Sequence, residues 1–115
     1  MTEEQIALAK RAVACKGFRW MPGMADCWGG RVREGDGLDR ASAFPDFTDA
    51  ATLGCLLALV REAWGDPTIV TAATLELGGV RGWVAECWAP QSPLHTLTPR
   101  PTEAAALVAA LEAAP

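Results

Sequence analysis

One well-delimited helical segment, residues 48–67, constrains the fold of this chain more than any other part of the sequence. Thr48 and Asp49 open it with side chains that favour helix N-termini, and Gly65 followed by Asp66-Pro67 closes it. The apolar residues between them recur on one helical face, which comprises Leu53, Leu56, Leu57, Val60 and Trp64. A helix with one such face has to pack against other elements, so the chain requires a core.

Two residues of this helix carry specific expectations. The apolar face includes Leu57, so we expect Leu57→Asp to unfold the domain, because an unpaired charge in a core costs several kcal/mol, comparable with the whole stability of a small domain. A glycine inside a helix, such as Gly54, lowers the stability of the helix by about 1 kcal/mol relative to alanine. It indicates either close packing against another element or a tolerated defect.

Two further helices are predicted near the ends of the chain. Thr2 and Gln5 fit the capping-box pattern, and Gly17 is a natural stop for the helix that follows. Thr102 and Glu103 begin a last, alanine-rich helix.

Extended segments are predicted between the helices, at residues 18–24, 31–33, 68–77 and 83–88. The last two are joined by a glycine-rich turn at 78–82 and form a hairpin. The predicted order is α-β-(β)-α-β-β-α. It describes a single α+β layered domain over residues 1–115, with a small, mostly antiparallel sheet and helices packed on it.

Composition and charge exclude several classes of protein. Half of the 115 residues are apolar and the formal net charge is −4, which suits a folded globule and argues against a simple nucleic-acid-binding protein. The acidic start at residues 1–5 is unlike a signal peptide. The apolar, uncharged run at residues 50–60 is about half as long as a membrane span needs to be. We therefore expect a cytoplasmic protein that contacts neither nucleic acid nor membrane directly.

The nucleophiles and metal ligands of the chain form no recognisable motif. The cysteines make no C-x-x-C pair, and they are Cys15, Cys27, Cys55 and Cys87. The single histidine, His95, lies in a proline-flanked loop, and the glycines form no phosphate-binding loop. The sequence therefore predicts free thiols, no metal, no cofactor, no catalytic residue and no enzymatic activity.

Trp20, Trp28, Arg31 and Arg33 are the candidate binding residues. The surrounding residues 16–40 hold five of the ten basic residues of the chain, and tryptophan and arginine are favoured anchors of protein interfaces. They can also stack on a nucleotide and neutralise it. In an extended backbone Arg31 and Arg33 share a face, and replacing both by alanine is expected to weaken binding with little effect on folding. The alternative is that Trp20 belongs to the core and the charged stretch is a solvated loop.

Three stretches of the chain resemble small phage and prophage proteins, and they are Lys10–Met24, Thr48–Leu57 and Pro101–Leu107. The layout of a capped helix, a tryptophan-bearing hairpin and a capped alanine-rich helix is similar to the phage α/β/α (ABA) sandwich domain family. These motifs are caps, apolar stripes and turns, so the resemblance implies no catalytic residues. It implies a protein made in the cytoplasm of an infected or lysogenic bacterium.

Two classes of function follow as hypotheses. The first is a non-catalytic inhibitor of a bacterial antiviral defence system, resembling anti-CRISPR proteins, that binds a host protein through complementary charge. The second is a sponge that sequesters a nucleotide signal. A phage structural or regulatory protein is a further alternative, and a homo-oligomer is compatible with each. A pocket lined by aromatic residues and arginine would favour the sponge, and a flat acidic or aromatic patch would favour the protein binder. The hairpin at 83–88 is the next candidate site.

Overall fold

The structure, a computed structural model, describes residues 1–34 and 43–115 of the chain. These residues form an α+β domain, as the sequence predicts. Its elements in chain order are α1 (Glu3–Val13), α2 (Ala50–Trp64), β1 (Val70–Glu76), β2 (Gly79–Glu86), a short 3-10 helix (Pro93–Thr96) and α3 (Glu103–Ala113). None of the helices in the described part of the chain is long and apolar enough to cross a membrane.

The predicted N-terminal caps of the three helices and the Gly65 end of α2 are confirmed, whereas α1 ends at Val13 with Ala14 as its C-cap, before the predicted stop at Gly17. At the start of α1 the Gln5 amide donates to Thr2 Oγ1 over 3.1 Å, and the Thr2 amide donates to Gln5 Oε1 over 2.8 Å. Asp49 caps the start of α2, and Gly65 closes that helix in the left-handed conformation, with φ 63°. Thr102 caps α3 by accepting from the Ala105 amide. These caps satisfy backbone groups that the helix ends leave unpaired.

The main core lies around α3, which is buried over the whole of Ala106–Leu111. It joins α2 and the inner face of the hairpin through a set of buried residues that includes Leu56, Val60, Ile69, Ala85, Leu107 and Val108. Trp64 packs against this core, and its Nε1 donates to the Ala110 carbonyl over 2.8 Å. Because neighbours surround it, α3 carries alanine on sides where a surface helix would carry charge.

A second cluster of buried residues lies on another side of α2, and it comprises Trp20, Met24, Val32, Ala43 and Leu59. Leu59 is fully buried there, although it falls outside the apolar face that the sequence predicts. Leu57, which the prediction places inside, is only half-buried at the margin of the main core. α2 therefore buries two sides, and its apolar pattern does not identify one central stripe.

The strands predicted at 18–24 and 31–33 are wrong, so the order is α-α-β-β-α over the described residues. Single bridges take their place, such as the one between Ala25 and Arg31. Pro22 supplies no amide donor, and Gly23 and Gly29 adopt positive φ values of 98° and 82°. Such glycines turn the backbone and interrupt an extended strand.

The hairpin is antiparallel and pairs Val70 with Glu86 and Thr74 with Gly82. The register then shifts, and Glu76 pairs with Gly79. The connecting turn is therefore Leu77-Gly78, which is shorter than the predicted turn at 78–82. Successive side chains of β2 alternate between the two surfaces of the hairpin. Ala85 faces α3, and Val84 and Glu86 lie on the opposite surface, which we call the outer face of the hairpin.

Candidate functional site

The structure distributes the four predicted binding residues over different environments. Trp20 is 7% exposed and belongs to the second cluster, where its ring meets Phe18 edge to face at a centroid distance of 5.7 Å. Trp28 is 71% exposed. Arg31 and Arg33 are exposed, and the buried Val32 lies between them. Trp28 is thus the only one of the two predicted tryptophans that presents its ring to solvent.

Arg31 is engaged in an ion pair within the chain. Its Nη1 and Nη2 donate to the two carboxylate oxygens of Asp49 over 3.0 and 2.9 Å, and Nη1 also donates to the Gly23 carbonyl over 2.6 Å. Asp49 accepts from the amide and hydroxyl of Thr52 as well. The bidentate geometry uses the fork of the guanidinium. Arg31 therefore ties the loop before it to the start of α2.

This ion pair makes stability depend on pH. Hydrogen bonds from Arg31, and then from Thr52, hold the pKa of the Asp49 carboxyl well below its usual range. A carboxyl whose pKa is lower when folded contributes stability above its unfolded pKa of about 3.9, and that contribution is lost as pH falls through the folded pKa. We expect Asp49→Asn, which retains a capping side chain, to lower the melting temperature at pH 7 and to match the parent in strong acid. Thermal melts of Asp49→Asn and the parent over a series of pH values measure the difference at pH 7 and its disappearance in strong acid.

Arg31→Lys is the companion variant, because lysine keeps the charge and loses the bidentate fork. It should lower the melting temperature at pH 7 by less than Asp49→Asn does. Equal melting temperatures for Asp49→Asn and the parent at every pH would show that the ion pair does not stabilise the fold.

The loop that carries Trp28 is organised by a buried carboxylate. Asp26 is 5% exposed, and its Oδ1 accepts from the amides of Trp28 and Gly30, each over 2.9 Å. A Cβ added at Gly30 would lie 2.8 Å from Asp26 Oδ2, so the backbone approaches the carboxylate more closely than a side chain would allow. This tight turn directs the Trp28 ring away from the core.

A second exposed tryptophan lies at the open end of the hairpin. Trp88 is 85% exposed and borders a cleft of ≈280 Å³. The other residues that line this cleft are Thr68, Val70, Glu86 and Cys87. The Trp88 amide donates to Thr68 Oγ1 over 3.4 Å, which continues the pairing of the two strands beyond β2.

The alternation of β2 explains why Trp88 projects outward. Ala85 and Cys87 contact the main core beneath the hairpin, so Glu86 and Trp88 lie on the outer face. Val70, opposite Glu86 in β1, is 46% exposed on the same face. Val70, Ala72, Val84, Glu86 and Trp88 together form the outer face, which presents apolar groups beside one carboxylate.

Cys87 and His95 approach each other at the edge of this cleft, with 3.7 Å between Sγ and Nε2. The same Nε2 lies 2.8 Å from the Ala89 carbonyl oxygen. A carbonyl only accepts, so this hydrogen bond requires the proton to be on Nε2. That nitrogen is then not available to take the proton of the thiol, and the pair lacks the nucleophile–base geometry of a catalytic dyad. No sequence pattern indicates this contact, because the turn at residues 89–92 brings His95 back to Cys87.

The cysteines are all free thiols. Within residues 1–34 and 43–115, no group of three or more histidine, cysteine, aspartate or glutamate side chains is placed to hold a metal ion.

The two exposed tryptophans lie at opposite ends of α2. The Trp28 loop is joined to the start of this helix, where the Ala25 amide donates to Thr52 Oγ1. Trp88 is joined to Thr68, which follows the end of the same helix. A helix of 15 residues spans roughly 22 Å. The two rings therefore belong to separate surfaces and do not line one small-molecule pocket.

The chain matches no protein-family model, no curated protein and no solved structure. The resemblance to the phage α/β/α sandwich family therefore stays a prediction from the sequence.

Proposed function

We propose that this protein acts without catalysis, by binding another protein through the outer face of the hairpin, with Trp88 as the central contact. The observation that carries the proposal is the exposure of Trp88, 85%, on a face that α3 leaves uncovered. Tryptophan is the side chain with the largest apolar area, and it is enriched among the residues that dominate binding energy. Val70 extends the apolar surface beside it.

The geometry favours a protein partner over a nucleotide. Among the described residues, the cleft beside Trp88 is lined by one aromatic ring and the carboxylate of Glu86, and by no arginine. In the predicted nucleotide site, Trp20 is in the core and Arg31 is paired with Asp49. A site for phosphate would need cationic or amide donors directed at it. The patch is instead apolar with an acidic rim, which is typical of a protein contact.

Charge complementarity indicates the kind of partner. Glu86 lines the cleft together with Thr68, and the hydroxyl and amide of Thr68 donate to Asp66, which holds the pKa of that carboxyl below its usual range. With a net charge of −4, the protein would associate fastest with a basic surface. We propose, on the resemblance to phage proteins, that the partner is a bacterial antiviral effector in the cytoplasm whose nucleic-acid-binding surface is blocked.

Trp88→Ala and Trp28→Ala form a matched pair of variants for testing this proposal. Both indoles are exposed, so neither substitution opens a cavity in the core. A partner captured from a lysate of the source bacterium is purified, and its affinity for the parent and both variants is measured by calorimetry. We expect Trp88→Ala to weaken binding at least tenfold, or about 1.4 kcal/mol, and Trp28→Ala to bind within about twofold of the parent, about 0.4 kcal/mol.

Three results would contradict the proposal. Equal affinity of Trp88→Ala and the parent would show that the outer face is not the interface. A loss confined to Trp28→Ala would move the site to the loop at the start of α2. Stoichiometric retention of a nucleotide from the lysate by the purified protein, with no protein captured, would favour the sponge.

A further inference from the structure

The two edges of the hairpin differ in how their backbone groups are used. On the outer edge of β2 the Trp83 amide donates to the Arg100 carbonyl over 2.7 Å, and the Arg100 amide donates to the Trp83 carbonyl over 2.9 Å. Within residues 1–34 and 43–115, no backbone bridge or ladder occupies the outer edge of β1. The sheet therefore ends on one side in an open edge.

The register identifies which groups this edge presents. In an antiparallel pair, residues alternate between pointing toward the neighbouring strand and away from it. Trp83 points away from β1, toward Arg100, so its partner Ala73 points away from β2. By the same alternation, Thr71 and Leu75 also direct their amides and carbonyls outward. Three consecutive outward positions are thus available for a further strand.

The side chains of β1 itself do not protect this edge, and Arg61 of α2 donates to the Ile69 carbonyl, which precedes the strand. Natural proteins usually protect an open edge with lysine, proline, an inward charge or a covering segment. The stretch Val70–Leu75 contains no charged residue and no proline. Leu75 is 75% exposed and Leu77 is fully exposed. This is an apolar, β-branched edge strand whose outward backbone groups have no backbone partner in the part of the chain that the structure describes, which is the chemistry of β-strand addition.

We propose that a second copy of this chain pairs with β1 edge to edge, in an antiparallel arrangement centred on Ala73. The outward amides and carbonyls of one edge can pair with the same groups of a second copy in an antiparallel arrangement. A single twofold axis therefore relates the two copies and pairs the edges of both. This register pairs Ala73 with its own equivalent and Leu75 with Thr71 of the partner subunit, and it uses all three outward positions. The uncharged stretch lets two copies of an acidic protein meet without like charges in the contact.

The pairing converts two hairpins into one four-stranded sheet. A two-stranded sheet is smaller than most sheets in globular proteins, and additional strands stabilise it. The outer face and Trp88 stay open in this arrangement, because the new contact lies along the edge of β1. The inference is therefore independent of the proposed function, and each can fail without the other.

Ala73→Lys tests the pairing, with Ala7→Lys as the matched control on the exposed surface of α1. Residue 73 is exposed, so lysine is tolerated in the single chain. In the dimer it would place two ammonium groups opposite each other on strands about 5.5 Å apart. Sedimentation equilibrium should give the parent and Ala7→Lys twice the chain mass of 12.1 kDa. Ala73→Lys should give the mass of one chain with unchanged circular dichroism.

Hydrogen exchange provides a second readout that needs no variant. The amides of Thr71, Ala73 and Leu75 have no partner within the hairpin, so their exchange should slow as protein concentration rises. A parent protein that sediments as one chain up to millimolar concentration would overturn the inference. So would a dimer that survives Ala73→Lys, or exchange at these three amides that is independent of concentration.

Discussion

Leu56→Asp is expected to abolish cooperative folding. Leu56 is fully buried in the main core, where α2 packs against α3. The substitution removes the contacts of a buried leucine and leaves a carboxylate without a partner. Together these effects cost about 5 kcal/mol or more, which is comparable with the entire stability of a small domain. Far-UV circular dichroism and thermal melts should show no folded baseline.

Leu57→Asp is the matched comparison, because the same charge enters the neighbouring position of the same helix. Leu57 is half-buried at the margin of the main core, so the carboxylate can reach water. This variant should fold and melt below the parent, in contrast to the unfolding that the sequence predicts for it. An unfolded Leu57→Asp beside a folded Leu56→Asp would show that α2 is rotated relative to its described orientation.

Gly82→Ala is expected to destabilise the domain by about 1–3 kcal/mol, as overpacking of a tight site does. A Cβ at this position would lie 2.9 Å from the Arg100 carbonyl oxygen and 3.1 Å from Pro99 Cβ. Neither neighbour is the flexible end of a side chain, so the backbone itself has to move. The pairing of Trp83 with Arg100, which covers the outer edge of β2, should weaken as a result.

Gly54→Ala is the control for this variant, and its expected effect has the opposite sign. Apart from the adjacent residues and the backbone of α2 itself, no atom of the described residues lies within 4 Å of a Cβ added at Gly54, which is in the middle of α2. Alanine there should stabilise the domain by roughly 0.4–1 kcal/mol through helix propensity and a more restricted unfolded chain. Urea denaturation of both variants measures whether each substitution lowers or raises the free energy of unfolding. A Gly82→Ala variant as stable as Gly54→Ala would contradict the close approach at Arg100.

The parts of the fold that the sequence predicts correctly depend on local chemistry. The capping box of Thr2 and Gln5, the cap at Asp49 and the left-handed Gly65 involve residues within one helical turn. The alternation that places Trp88 outward follows from the pleat of a single strand. Caps and strand alternation involve only residues that are close together in the sequence, so a short stretch is enough to predict them.

The parts that the sequence does not predict depend on contacts between distant residues. Arg31 and Asp49 are 18 positions apart, and nothing in either local pattern indicates that one guanidinium neutralises the cap of α2. The sequence makes Trp20 a candidate ligand-binding residue. In the structure it is buried in the second cluster, which includes Leu59. For Gly54 the sequence leaves two interpretations open, and the empty space around it favours the tolerated defect.

The segment at 18–24 shows why an alternating pattern is not sufficient for a strand. Phe18, Trp20 and Met24 alternate as a strand would, and the rings of the first two do pack together. A strand also needs a neighbour for its backbone groups. Pro22 and the positive φ of Gly23 turn the chain before a ladder can form. The apolar residues are buried all the same, in a loop held by single bridges.

The most direct test of the proposed function follows the tryptophan indole N–H signals by NMR as the purified protein partner is added. The five signals are assigned by single Trp→Phe substitutions. We predict that the Trp88 signal shifts or broadens on binding. The Trp28 signal should stay in place, and so should that of Trp64, whose indole donates to Ala110 inside the fold. A Trp88 signal that is unchanged at saturating partner would contradict the proposal that the outer face of the hairpin is the binding surface.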